Sequence, residues 1–264
     1  MAFWQRFRDM NVAMSWATTP SALWRTRGFA VYDLVARAEL GLPENRNVMD
    51  VGGGRTWPFG RTYHARPGFH LTGIDIAPEE LALNLDLHER VTADVCRTLH
   101  VADGSLDLIV SRALIEHLHD TVGFLRAAER ALKPGGRMVL MFAGKWAFST
   151  ILNRLLSERL ATALLHALVP NSRGYQGFKA YYDKVGQGEF KRAVSDAGLI
   201  VRLNYPSYYS SSYFQFFWPL HVLSILHDQL RQFLSIDALT AINLFVLEKP
   251  NADATLRPLP MAYA

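Results

Sequence analysis

With 264 residues, half of them apolar, the chain can bury a substantial core, which favours one domain with additions over two independent domains. The formal charge of +4 is made by arginine far more than lysine and forms no concentrated basic stripe, which argues against a nucleic-acid partner and leaves an anionic substrate or surface, or a codon bias, as its source. Cys96 stands alone, so neither an intramolecular disulfide nor a cysteine-based metal cluster is expected, in keeping with a reducing cytoplasm; Arg6, Arg8 and Asp9 break any secretory leader pattern.

In chain order, residues 1–40 read as helices. Phe3, Phe7, Met10 and Met14 recur at helical spacing and give one face an apolar, aromatic character. Trp4 and Phe7 lie beside Arg6 and Arg8, as in interfacial membrane helices. From Asn47 onward, apolar runs near 47–51, 71–75, 91–93, 106–111 and 137–143 alternate with helical patterns, which predicts a parallel sheet with right-handed crossovers and a crevice at the carboxyl ends of its strands. Pro78-Glu79-Glu80 opens the helix after the second strand, with proline in its first turn and acids at its positive end. Lys133-Pro134-Gly135-Gly136 reads as the turn into the fifth strand.

The stretch Asn47–Gly60, N-V-M-D-V-G-G-G-R-T-W-P-F-G, organises the rest. Three glycines follow a buried-strand pattern, where the absence of a Cβ permits a tight turn and close backbone approach by a ligand. Trp57 stands where a dinucleotide fingerprint needs its third glycine, and no Gly-Lys-Ser/Thr ending follows, so both phosphate readings weaken. What remains is Asp50 before the glycines and Asp75 at the end of the next apolar run. A carboxylate at the second strand's tip can accept both hydroxyls of a ribose, and an acid beside the loop suits a cation. Together they fit an adenosine carrying a positive charge.

These blocks resemble the class I S-adenosylmethionine-dependent methyltransferases of the large type 11 group. The resemblance runs from Asn47 to Ala143, through V-M-D-V-G-G-G-R-T, G-I-D-I, A-D-V, D-G-S-L-D-L-I-V-S-R-A-L-I-E-H-L and A-L-K-P-G-G-R-M-V-L. It implies an α/β fold, a Rossmann-like doubly wound seven-stranded sheet, mostly parallel with an antiparallel edge strand, plus helical cap insertions. It implies S-adenosyl-L-methionine as cofactor, touched by Asp50, Gly52, Gly53, Gly54, Asp75, Ile76, Asp94, Val95 and Ser111. The family's last loop glycine is Thr56 here, which predicts a stiffer loop or a shifted methionine tail.

The same resemblance makes 1–264 a single methyltransferase domain with residues 1–40 as a helical lid over the cofactor and 145–187 as a substrate cap. Within the cap, Trp146–Val169 reads as an amphipathic helix ended by Pro170, followed by a loop with Arg173 and Tyr175 and by F-K-A-Y-Y-D-K; a helix near 188–197 comes after the cap. Leu199–Tyr205 and Ala241–Glu248 read as the last two strands. Between them, 206–240 is an aromatic insertion: Tyr205–Trp218 holds eight aromatics in fourteen positions, and no Asp, Glu, Lys or Arg stands between Arg202 and Asp228. Pro206, a serine triplet and Pro219 break it too often for a membrane span. As a hairpin or short helix it suits a pocket for an apolar substrate, peripheral membrane contact through 205–226, or a homodimer interface.

Methyl transfer from a sulfonium asks mainly for positioning, worth about 7–11 kcal/mol of barrier, with a general base adding about 10²- to 10⁴-fold. His117, after the fourth strand, is the expected base for a hydroxyl acceptor, its ring also suiting a packing role; Glu116 and Arg112 read as pocket-lining or structural, and Tyr182 as a second residue for orienting substrate. No metal ligand set is expected, since Ser111-Arg112 lacks the acids of catechol-type enzymes. The expected reaction is O-methylation of a small, natural-product or lipid-linked hydroxyl compound such as a sugar. An N- or C-methyltransferase, or a non-catalytic S-adenosylmethionine-binding scaffold, is the alternative.

Overall fold

The computed structural model describes residues 2–155 and 179–251. Three helices lead the chain: α1 (Ala2–Thr18), α2 (Ser21–Thr26) and α3 (Gly28–Gly41). Strands and helices then alternate as β1 (Asn47–Val51), β2 (His70–Asp75), α4 (Pro78–Leu83), β3 (Glu89–Thr92), β4 (Leu106–Arg112), α5 (Thr121–Ala131) and β5 (Leu132–Ala143). After α6 (Phe148–Leu155) come α7 (Gln187–Asp196), β6 (Ile200–Ser207), α8 (Trp218–Leu234) and β7 (Ile242–Glu248). The expected cap helix is described only as far as Leu155, and the loop with Arg173 and Tyr175 lies outside the described residues.

The seven strands form one sheet in the order β3-β2-β1-β4-β5-β7-β6. All pairings are parallel except those of β7, which runs antiparallel between β5 and the edge strand β6. Successive residues of a strand point to opposite faces, and both faces here are apolar. Met49 and Ile109 join a core with Phe124 of α5 and Phe190 of α7, while Val48, Leu108 and Val110 join one with Tyr32, Val35 and Leu40 of α3. Two buried faces make the sheet doubly wound. The chain leaves β1 for β2 and β3 and returns to the other side of β1 at β4, so the crevice expected of such sheets opens at the carboxyl ends of β1 and β4.

Two local readings change. The Lys133–Gly136 turn lies inside β5, because Gly135 N donates to Lys249 O (2.8 Å) and Lys249 N to Gly136 O (3.0 Å), so ladder pairing continues through it. Gly135 takes φ +75°, and the β4–β5 register shifts between Leu106 and Leu108 to absorb the extra residues. Pro219, read as a break, sits in the first turn of α8, where a missing N–H costs little, and the aromatic insertion holds a helix of 17 residues.

One buried ionic knot ties helix to sheet. Arg137 of β5, fully buried, contacts Glu39 of α3 and Glu248 of β7, each at 2.8 Å, and both carboxylates are fully buried too. At the other end of α3, a Cβ on Gly28 would fall 2.5 Å from Ile242 Cγ2, so glycine permits this close packing against β7.

Candidate active site

The glycine loop is held from three sides. Gly52 N donates to Ile74 O (2.8 Å), Gly54 N to Asp75 Oδ2 (3.1 Å), and Asn84 Nδ2 to Gly53 O (3.1 Å). Arg55 then forks onto Glu80 of α4, with Nε to Oε2 at 2.6 Å, which holds the Glu80 carboxyl below its usual range. Gly52 takes φ +76°, closed to most side chains, and a Cβ on Gly53 would sit 3.1 Å from Asp50 O. Thr56 is exposed, whereas Trp57 and Phe59 are buried in contact with each other, 4.8 Å between ring centroids. The loop is therefore anchored past its missing glycine.

Asp75 also accepts from Ala77 N (3.0 Å), so both its oxygens are oriented by backbone amides; Ile76 beside it is exposed. Asp50 is buried, and no donor among the described residues hydrogen-bonds its carboxyl. Burial pushes its pKa up to about 7; the Arg112 guanidinium works against this rise and Asp75 adds to it. Tyr32 of α3 lies in the same electrostatic neighbourhood, its pKa raised by burial first and by Asp50 next. Nothing in the loop motif pointed to Tyr32. The only trace in sequence is its place on the buried stripe Tyr32, Val35, Ala36, Glu39 and Leu40 of α3.

Across β4, Ser111 is fully buried, and its Oγ has no hydrogen-bond partner among the described residues. Val95 packs in the core instead of lining an open surface. Asp94 is partly exposed and accepts from Cys96 N (3.0 Å). His117 sits in the short 3-10 turn Ile115–His117, and its Nδ1 is 3.1 Å from Lys179 O. A carbonyl can only accept, so Nδ1 carries the proton and Nε2 the basic lone pair. Glu116 is buried, with a carboxyl pKa raised by that burial; its backbone O accepts from Tyr181 N (3.0 Å) and Tyr182 N (2.9 Å). Asp183 Oδ2 accepts from Thr121 N (2.9 Å), so the Tyr-Tyr-Asp run is clamped onto the 3-10 turn and the start of α5.

A group not anticipated is Asp94, Cys96 and His119, whose donor atoms lie within 4.8 Å of one another and could hold a cation. Burial raises the Cys96 thiol to about 11, which disfavours the thiolate such binding needs. Beyond Ala143, a cavity of about 390 Å³ lies between α6 and α8, its apolar wall made by Trp146, Ile151, Phe214, Leu220 and Leu223.

Residues 49–140 match the sequence model of the methyltransferase domain family described as Methyltransf_11. The chain is similar to a malonyl-[acyl-carrier protein] O-methyltransferase of Hahella chejuensis, 31% identical over 130 residues, covering 47% of this chain and 43% of that protein. It is also similar to a demethylmenaquinone methyltransferase of Tropheryma whipplei, 37% identical over 105 residues, covering 38% of this chain and 43% of that protein. The chain thus spans less than half the length of these relatives. In fold it is similar to geranyl diphosphate C-methyltransferase of Streptomyces coelicolor, with a TM-score of 0.51, 15% identity, and coverage of 83% of this chain and 75% of that one. Residues 49–140 are thus a methyltransferase domain of the class I S-adenosylmethionine-dependent kind, and S-adenosylmethionine is the cofactor of that class.

Proposed function

We propose that this protein transfers a methyl group to a hydroxyl of a small or lipid-linked acceptor, with His117 as the base. The observation that carries the reading is a loop whose glycines abut a buried carboxyl, Asp50, with a second carboxylate, Asp75, one strand away. These residues fit S-adenosylmethionine. Asp50, near neutrality in pKa and without a hydrogen-bond donor among the described residues, suits a cationic methionine moiety, and Asp75 suits the ribose hydroxyls. Gly52–Gly54 would admit the methionine tail, and Ile76 and Asp94 would approach the adenine end.

When bound, the cofactor supplies a methyl already activated by its positive sulfur. The chain has then to orient an acceptor oxygen, exclude water and remove one proton. His117 Nε2 takes that proton, its tautomer held by the bond to Lys179 O. The apolar cavity by Trp146 would take the acceptor's lipid portion, and Tyr182 would orient its polar head. The matched relatives act on different acceptor atoms, as their names state, so the choice of oxygen rests on His117. A methyl-transfer assay on isolated lipid-linked sugars with His117→Ala tests it. Turnover should fall about 10²-fold or more with cofactor affinity nearly unchanged. Unchanged turnover would mean that His117 is not the base and would remove the ground for an oxygen acceptor.

A further inference from the structure

Helices α1 and α8 are built with their polarity reversed. The seam between them is polar: Asn11 Oδ1 accepts from Trp218 N (2.8 Å), Ser15 Oγ donates to Gln215 O (3.3 Å), and Thr19 Oγ1 meets His221 Nε2 at 2.8 Å. Asn11, Ser15, Thr19 and His221 are all buried. Farther along α8, Asp228 and Arg231, its only formally charged side chains, are buried as well. Asp228 accepts from Ser210 N (2.9 Å), and Arg231 donates to Tyr208 O (2.6 Å) and Leu239 O (3.0 Å).

The apolar side chains face outward instead. Leu223, Leu226, Leu230 and Phe233 are exposed on α8, Phe233 to 85%, and Phe3 (72%), Trp4 (71%), Met10 and Trp16 are exposed on α1. A helix pair formed in water turns its leucines inward and its polar residues out. Polar contacts between helices with apolar side chains outside are the arrangement used in lipid. The outward face of α8 carries no formal charge, while residues 1–32 hold four arginines (Arg6, Arg8, Arg25, Arg27) against one acid, Asp9, a balance that complements an anionic surface. No helix among the described residues is long and apolar enough to cross a membrane, so the helices would lie in the interface.

We propose that α1 and α8 together dock this protein on the surface of an anionic lipid bilayer, with their outward apolar side chains sunk into the headgroup boundary. The inference goes beyond the methyl-transfer reading and does not require it. It does bear on the acceptor: Leu220 and Leu223 of α8 also wall the cavity by Trp146, so a lipid tail could reach that cavity from the bilayer.

The test is flotation of the full chain, without cofactor or acceptor, on vesicles of phosphatidylcholine alone and of phosphatidylcholine with phosphatidylglycerol. Binding is expected on the anionic vesicles, with tryptophan fluorescence quenched by brominated lipid through Trp4 and Trp16, and weakened by added salt. Leu226→Gln/Leu230→Gln/Phe233→Gln should lower the bound fraction about tenfold or more while thermal midpoint and cofactor affinity hold. Phe3→Gln/Trp4→Gln, which alters only the exposed end of α1, should lower it independently if the α8 variant fails to fold. Failure of the wild type to bind either vesicle would overturn the proposal. So would a stable dimer that dissolves in the variants while vesicles remain unbound, since the face would then serve a second copy. Intact vesicle binding without methyl transfer would count against the catalytic reading alone.

Discussion

Asp50 is a carboxyl placed where the folded chain on its own does not favour its charge. Its folded pKa of about 7 lies above the unfolded value near 4, so the stability it contributes is full below about pH 4 and is lost as pH rises through 7. At pH 8 the cofactor-free protein should therefore gain stability from Asp50→Asn, by roughly 2–4 kcal/mol, read as a higher thermal midpoint than wild type, with the difference vanishing near pH 4. A midpoint unchanged at pH 8 would mean the carboxyl is better solvated than its burial indicates. The same shift links affinity to pH. A cation bound beside Asp50 favours the ionised form, so S-adenosylmethionine should bind about tenfold more tightly at pH 8 than at pH 6, with proton release seen as a buffer-dependent enthalpy. Asp50→Asn should flatten that dependence.

Among the elements, strands β1, β2 and β4 show most plainly what a linear reading captures. The runs at 47–51, 71–75 and 106–111 reappear as β1, β2 and β4 within a residue or so, because a strand buried on both faces is written as a continuous apolar stretch. The glycine loop and Asp75 were legible for the same reason, their register being local. Arg137 was not, since its charge within an apolar run makes sense only once Glu39 and Glu248 arrive from distant parts of the chain. Tyr32 beside Asp50 and the reversed polarity of α1 and α8 escaped in the same way: helical period tells which residues share a face but not which way that face turns. The knot around Arg137 has its own test. Arg137→Ala leaves two buried carboxylates without their partner and should destabilise the fold by about 3–5 kcal/mol in chemical denaturation, with the slope against denaturant unchanged. A loss below about 1 kcal/mol would show that Arg202, 3.6 Å from Glu248, takes over the pairing.

For the molecule as a whole, the sheet order places the glycine loop, Asp75 and the 3-10 turn with His117 at one edge of the strands, beyond which α6, α8 and their cavity stand. On the proposed function, this end of the sheet divides into a cofactor side at β1 and β2 and an acceptor side at β4 and β5. Calorimetric titration of S-adenosylmethionine into wild type and Asp75→Ala, both checked for the same thermal midpoint, tests that division most directly. One site per chain is expected, weakened by Asp75→Ala by about 1.5–3 kcal/mol, or one to two powers of ten in affinity. Equal affinities in the two proteins, or no binding to the wild type, would contradict it.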